Sequence, residues 1–330
     1  MSGTARKIMR WTGKALLGSV VALLALAVAG AIYQAVATER AERAYPPPGE
    51  MVDVGGYSLR INCVGQGSPT VVLDAGTGEI SANWALVQRK VSDTTRVCAY
   101  DRAGMGWSET GLEPRDARQI TGELHALLEG ASIEGPYVLV GHSFGGLYMQ
   151  TYAARYPEEV AGVVLIESSH PEQFSYRRVA RDSYEPHKQI FAVSSLLARL
   201  GLVRLLYELS PAPPDLPPQQ RAQIDALGPS TRQVSATALE LRATPQTTTQ
   251  TRSLRSLGGK PLAVVSAGTQ EPGWLDLQDD LATLSPNSTH RIVEGATHTS
   301  VLDDRSDAQA TSTAVVEVVK AVRTDRSLAR

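Results

Sequence analysis

The chain has 330 residues, 42% of them hydrophobic, and a formal net charge of -2. That length accommodates one large α/β domain with an insertion and a tail, and a charge so near zero argues against a nucleic-acid partner. No Walker A loop, no G-x-G-x-x-G after a strand and no Cys/His metal cluster occurs in it, so no cofactor and no metal is expected.

Arg6, Lys7, Arg10 and Lys14 precede an uncharged apolar run from Ala15 to Ile32. About twenty such residues span a bilayer as a helix, and the basic flank puts residues 1–14 on the cytoplasmic side. Residues 15–37 are therefore expected to form a transmembrane signal anchor, with the rest of the chain extracytoplasmic. The alternative is a signal peptide cut after Ala35-Val36-Ala37, an A-x-A site, which gives a secreted protein. Residues 38–50 are charged and then proline-rich (Pro46 to Pro48), and read as a linker.

Strands are predicted over Met51–Val54, Tyr57–Val64, Thr70–Asp74, Arg96–Tyr100, Tyr137–Val140, Val163–Ile166, Leu262–Ser266 and His290–Val293. Helices are predicted over Asn83–Val91, Ala117–Leu128, Leu147–Arg155, Leu275–Leu284 and Gln309–Val322. The first two strands alternate in polarity across Gly55-Gly56, as in an antiparallel hairpin. The later strands are short apolar runs between helices, as in a parallel sheet covered on both faces. The alternation stops after the strand at Val163, and residues 170–257 read as a helical cap inserted between core segments 51–169 and 258–330. The cap carries an amphipathic stretch from Ile190 to Leu209 and a proline cluster after it. Cys63 and Cys98 lie in strand segments; they suit a disulfide in an oxidising compartment and two core thiols in a reducing one.

The richest motif is Gly141-His142-Ser143-Phe144-Gly145, between the strand Tyr137–Val140 and a helical stretch that stops at Pro157. This is the G-x-S-x-G pattern on a strand-to-helix turn, which lifts the serine hydroxyl above the sheet. Gly141 and Gly145 are expected because a side chain at either position would strike the neighbouring backbone.

A serine hydroxyl needs a base, and the base needs an acid to orient it. Functional groups of parallel sheets gather at the carboxyl ends of strands, where His298 follows the last strand. His125, His187 and His290 fit surface positions better, and His170 leads into the cap. The acid should fall between Ser143 and His298. Glu167, at the end of the strand Val163–Ile166, is the first choice, with Glu271 as the alternative and Asp276 behind both. Two backbone N–H groups must meet the oxyanion; Phe144, at a helix start, and Thr77, after the strand Thr70–Asp74, are the candidates. Asp101 and Arg102 open a glycine-rich loop that reads as structural, bonding backbone beneath the site.

From about Met51 to Val322 the chain resembles the α/β-hydrolase fold superfamily, nearest the α/β-hydrolase-1 type. The resemblance rests on Gly76-Thr77-Gly78 after the third strand and on Y-D-R-A-G-M-G-W-S from Tyr100 to Ser108. It rests equally on G-H-S-F-G-G from Gly141 to Gly146 and on G-A-T-H from Gly295 to His298. It implies an α/β fold with a mostly parallel eight-stranded sheet, helices on both faces and a helical cap over a Ser–His–acid site. It also implies that the strands of Cys63 and Cys98 are neighbours, which favours a disulfide. Ala75-Gly76 stands where the family usually has His-Gly, so a hydrogen bond that braces this loop is expected to be missing. The haloalkane dehalogenase branch has a glutamate where Glu167 stands. Those enzymes, like epoxide hydrolases, use an aspartate nucleophile, whereas this chain has Ser143.

The sequence thus points to a serine hydrolase of a small-molecule carboxylic ester or related acyl bond. Two alternatives stand beside it. One is a lipase or acylglycerol hydrolase at the membrane surface, suggested by the anchor and the leucine-rich stretch Leu196–Leu206. The other is a catalytically silent, ligand-binding relative.

Overall fold

The computed structural model describes residues 3–174, 193–210, 212–270 and 272–328. Its centre is an eight-stranded sheet. The strands are β1 Glu50–Asp53, β2 Ser58–Val64, β3 Thr70–Asp74, β4 Val97–Tyr100, β5 Tyr137–His142, β6 Val160–Ile166, β7 Leu262–Ala267 and β8 Ser288–Val293. They lie in the order β1-β2-β4-β3-β5-β6-β7-β8. β1 and β2 form the hairpin across Gly55-Gly56, and β2 runs antiparallel to β4. All later pairings are parallel.

The apolar runs of β3, β4, β5 and β7 are buried along their whole length. Successive side chains point to opposite faces, so each strand feeds two cores. Leu139 packs with Leu124, Leu127, Leu147 and Tyr152 beneath α3 (Ala117–Gly130) and α4 (Phe144–Arg155). Its neighbours Val138 and Val140 pack with Trp84, Val315, Val318 and Val319 beneath α2 (Ala85–Val91) and the helix Arg305–Thr324. This explains why these strands are continuous apolar runs, while β1 at the sheet edge keeps exposed residues. Cys63 lies opposite Cys98 in the β2–β4 register, and the two form a disulfide.

Helix α1 covers Gly3–Ala44, and its portion from Arg10 is long and apolar enough to cross a membrane. The helix continues through Thr38–Ala44, the first part of the segment read as a linker, because nothing in Thr38-Glu39-Arg40-Ala41-Glu42-Arg43-Ala44 breaks it. The chain leaves the helix at the prolines instead. Between β6 and β7 the described residues form helices at 193–199, Leu202–Leu209, Pro218–Leu227, Thr231–Arg242 and Thr244–Thr251, and no strand. The amphipathic stretch is broken at Gly201, whose φ of +75° suits a residue without Cβ. Its start at Ile190, and His187, lie outside the described residues.

Candidate active site

β5 ends at His142 and α4 begins at Phe144, with Ser143 alone between them. Ser143 therefore carries the whole reversal, at φ 52° and ψ -123°. Such a conformation costs about 1–3 kcal/mol for a residue with a side chain. The surrounding backbone holds it: Ser143 N–H donates to the Ile166 carbonyl at 3.1 Å, and Ser169 N–H donates to the Ser143 carbonyl at 2.9 Å. The two elbow glycines are needed for the reason anticipated. A Cβ on Gly141 would lie 2.6 Å from the Gly145 and Gly146 backbone, and one on Gly145 would lie 2.4 Å from the Asp74 carbonyl oxygen. That second approach sets the start of α4 against the end of β3 and the first residue after it, with the Ala75 carbonyl 2.7 Å from the same Cβ. Thr77 Oγ1, in the loop after β3, is buried with no hydrogen-bond partner.

Ser143 Oγ lies 3.0 Å from His298 Nε2, and His298 Nδ1 lies 3.0 Å from Glu167 Oε2. The hydroxyl, imidazole and carboxylate therefore form an unbroken chain from three strand ends. Glu167 follows β6 in a left-handed conformation, φ 44°, which turns its side chain toward β7 and β8. Burying a carboxylate is costly unless its oxygens are hydrogen-bonded. Glu167 is fully buried, and Ala267 N–H donates to its Oε1 at 2.7 Å. Gln270 Nε2 donates to Oε2 at 2.8 Å, and Trp274 Nε1 donates to Oε1 at 3.3 Å. The rival Glu271 lies outside the described residues, and Asp276 is exposed on the helix Pro272–Ala282. His125, His170 and His290 sit elsewhere. His125 stacks on Tyr156 and pairs with Glu159, His170 meets Asp280, and His290 meets Ser266 and Asp279.

Beneath the site, Arg102 uses all five guanidinium N–H groups. Nε and Nη2 donate to Glu240, Nη1 to Asp74 Oδ1 and the Ala75 carbonyl, and Nη2 also to the Gly76 carbonyl. The loop reading of Arg102 thus holds, and Asp101 likewise accepts from Ser81 N–H at 2.7 Å. Glu240, on the cap helix Thr231–Arg242, was not foreseen, because nothing near it in sequence forms a motif. Burial pushes the Asp74 carboxyl up to about 6, against the pull of Arg102.

Two further residues, to which the sequence assigns no role, join the site. Glu79 Oε2 accepts from Gly76 N–H at 2.6 Å and faces His142 Nδ1 at 2.9 Å. His142 Nε2 in turn faces the His298 carbonyl oxygen at 2.9 Å. The loop that lacks the usual histidine is therefore braced after all, by Glu79. The available signal was the Ala75 departure itself, which leaves the loop in need of another acceptor. Burial works against charge on His142, but Glu79 and the His298 carbonyl outweigh it and hold the imidazolium above the usual 6.5. Burial would raise Glu79 too, yet the charge of His142 keeps it below its usual 4.5.

Among the described residues no cluster of His, Cys, Asp and Glu could hold a metal ion. The family profile described as alpha/beta hydrolase fold matches residues 69–305. An uncharacterized protein of Schizosaccharomyces pombe is 30% identical over 224 residues, covering 66% of this chain and 40% of that protein. The chain spans less than half the length of the curated relatives it matches. The Cif epoxide hydrolase from Acinetobacter nosocomialis superposes with a TM-score of 0.70 at 15% identity, over 88% of this chain and 96% of that one. A thermophilic esterase from Thermogutta terrifontis superposes with a TM-score of 0.64 at 18% identity, over 83% and 98%. These similarities concern the fold. From its sheet order, its elbow and the extent of the profile match, the chain belongs to the α/β-hydrolase fold family.

Proposed function

We propose that the chain is a serine hydrolase that cleaves a carboxylic ester or related acyl bond. The observation that carries this is the hydrogen-bonded chain from Ser143 through His298 to Glu167, with 3.0 Å at each link. Ser143 Oγ attacks the carbonyl carbon while His298 Nε2 takes its proton. Glu167 keeps the imidazole oriented and stabilises the imidazolium. The Phe144 and Thr77 N–H groups receive the oxyanion, and losing one such donor costs about 3–4 kcal/mol of barrier. His298 returns the proton to the leaving alcohol. Water, activated by the same imidazole, then releases the acyl group. The elbow position of Ser143 sets this reading apart from epoxide opening, which in this fold relies on an aspartate.

The protein is further proposed to be anchored by α1 with its catalytic domain extracytoplasmic, as the basic residues before Ala15 favour. Retention of the anchor is supported by what cleavage after Ala37 would remove. Gln34 is buried against the cap, where its Nε2 donates to the Pro229 carbonyl at 2.9 Å and its Oε1 accepts from Arg204 at 3.1 Å.

A second reading, an acyl hydrolase of membrane lipid, has one specific observation in its favour. The apolar run of α1 ends at Ile32, and the cap docks on the next turn. There Tyr33 donates to Glu208 at 3.0 Å, and just before the end of the run a Cβ on Gly30 would lie 2.3 Å from the Leu200 carbonyl oxygen. The helix Leu202–Leu209 thus sits where the anchor leaves the bilayer, with Leu202, Leu205, Leu206 and Leu209 exposed.

The test is turnover of soluble and micellar p-nitrophenyl esters by the full chain and by Ser143→Ala. Loss of turnover in the variant is expected; unchanged turnover refutes the serine mechanism. A rate that jumps above the critical micelle concentration favours the lipid reading, and one that saturates with monomeric ester favours a soluble substrate.

A further inference from the structure

His142 precedes the proposed nucleophile, is fully buried, and lies between two acceptors. Its Nδ1 faces the Glu79 carboxylate and its Nε2 faces the His298 carbonyl, both at 2.9 Å. A neutral imidazole has one N–H and one lone pair. In this setting the lone pair would point at an oxygen lone pair at hydrogen-bond distance. Both contacts are satisfied together when the ring carries both protons. The facing carboxylate supplies the counter-charge that a buried cation needs.

The groups joined this way are the ones the mechanism depends on. Glu79 Oε2 also accepts from Gly76 N–H at 2.6 Å, next to the proposed oxyanion donor Thr77. No side chain could intervene, since a Cβ on Gly76 would lie 2.8 Å from Glu79 Oε2 and 3.0 Å from His142 Nδ1. At the other end, the carbonyl that His142 holds belongs to His298 itself. The two imidazole rings are 4.9 Å apart.

Resting on the serine hydrolase reading, we propose that Glu79 and His142 are a proton-dependent positioning pair, which ties the oxyanion loop to the loop of the catalytic base. Neither residue touches substrate. The pair titrates as a unit. When it loses its proton, one of the two contacts breaks, and either the Gly76 loop or the His298 backbone is released. A displacement near 1 Å at such a site costs roughly 100-fold in rate.

Three further titratable groups, Glu167, His298 and Asp303, face the pair or its surroundings. Glu79 and the more distant Glu167 favour the His142 cation. His298 helps to hold Glu79 ionised. Asp303, on the helix Ser300–Asp303, is pushed up to about 6 by burial and then by Glu79, and is drawn down by His142.

The experiment uses the full chain in detergent micelles, labelled with 15N-histidine, and His142 is assigned by comparison with His142→Gln. At pH 7.5 the wild-type His142 is expected to show two protonated ring nitrogens, a measurement that needs no perturbing variant. In Glu79→Gln burial prevails, so the ring becomes neutral at that pH. The alkaline limb of the kcat profile then moves to lower pH, and kcat at pH 7.5 falls about 10- to 100-fold with KM little changed. A brace with no role for the proton would lower kcat without moving the limb. A neutral His142 in the wild type, or a limb unmoved by Glu79→Gln, overturns the proposal. The ring-nitrogen readout needs no turnover, so it separates the two readings. Ester turnover with a neutral His142 defeats the pair and leaves the hydrolase standing. A doubly protonated His142 in a chain without ester turnover defeats the hydrolase reading and, with it, the pair's assigned role.

Discussion

Replacing Arg102 with methionine removes the charge at a junction of three segments while keeping most of the side-chain volume. Arg102, Asp74 and Glu240 are all buried, with 2%, 0% and 0% relative exposure. Removing one member of a buried ion pair costs about 3–5 kcal/mol, chiefly because the partner charge is stranded. Here two carboxylates are stranded, and the Ala75 and Gly76 carbonyls lose their donors. A loss at the upper end is therefore expected for Arg102→Met, which lowers Tm by roughly 5–15 °C for a domain of this size. The pH dependence has a defined sign. The Asp74 carboxyl already sits at about 6 when folded, above its usual 3.8. Removing Arg102 raises it further, so the folded state binds a proton that the unfolded state releases. The deficit should thus be larger at pH 8 than at pH 5.5. Thermal melts of the full chain followed by circular dichroism check this at both values. Arg102→Met/Glu240→Met should recover part of the loss, since an apolar pair replaces the ionic one. A fall below about 2 °C at pH 8 would show that the junction adds little stability, and a deficit larger at pH 5.5 would refute the electrostatic account.

Glu167→Gln should lower kcat on p-nitrophenyl acetate by about 10³- to 10⁴-fold, as the imidazole loses its acceptor; retained activity there, with loss in Glu271→Gln, moves the acid to the other glutamate. Opening the Cys63–Cys98 bridge, which closes a separation of 35 residues, should cost about 4 kcal/mol on the chain-entropy scale, and melts with and without reductant measure it. The Glu79–His142 pair contributes stability across a window. Its His142 part is fully present below pH 6.5 and is lost as pH rises through the raised folded value, and its Glu79 part is present above pH 4.5 and is lost as pH falls through the lowered one. In Glu79→Gln the difference in Tm between pH 6 and pH 9 should therefore shrink, and an unchanged difference contradicts the assignment. Leu206→Asp with Leu209→Asp should weaken hydrolysis of micellar esters and spare soluble ones if the helix Leu202–Leu209 meets the membrane.

The sheet was legible because its signal is local. Each central strand is a short apolar run bounded by turn residues, and both faces need burial, so the run cannot be missed. Strand ends drifted by a residue or more, as at β6, because Val160-Ala161-Gly162 pairs through backbone that carries little hydrophobic signal. Strand polarity brings functional groups to one end of a parallel sheet, which singled out His298 but placed Glu167 and Glu271 alike, so the elbow and its base were legible as candidates and the acid only as a pair. Glu79, His142 and Glu240 were not. Glu79 lies 63 residues from His142, and Glu240 lies 138 from Arg102. Glu79 lies in a loop, Glu240 in a helix and His142 at a strand end, and nothing local marks any of them until tertiary packing assigns its partner. The extension of α1 to Ala44 is hidden for a different reason: charged residues suit a linker and an exposed helix face alike, and Glu39, Arg40 and Arg43 lie on the latter.

In the proposed mechanism Ser143 carries the acyl group. Mixing the full chain with p-nitrophenyl acetate, quenching in acid and mapping the peptides by mass spectrometry tests this directly. An acetyl adduct is expected on the peptide containing Ser143 and is absent from Ser143→Ala. Turnover with the adduct on another residue, or continued turnover by Ser143→Ala, would contradict the mechanism.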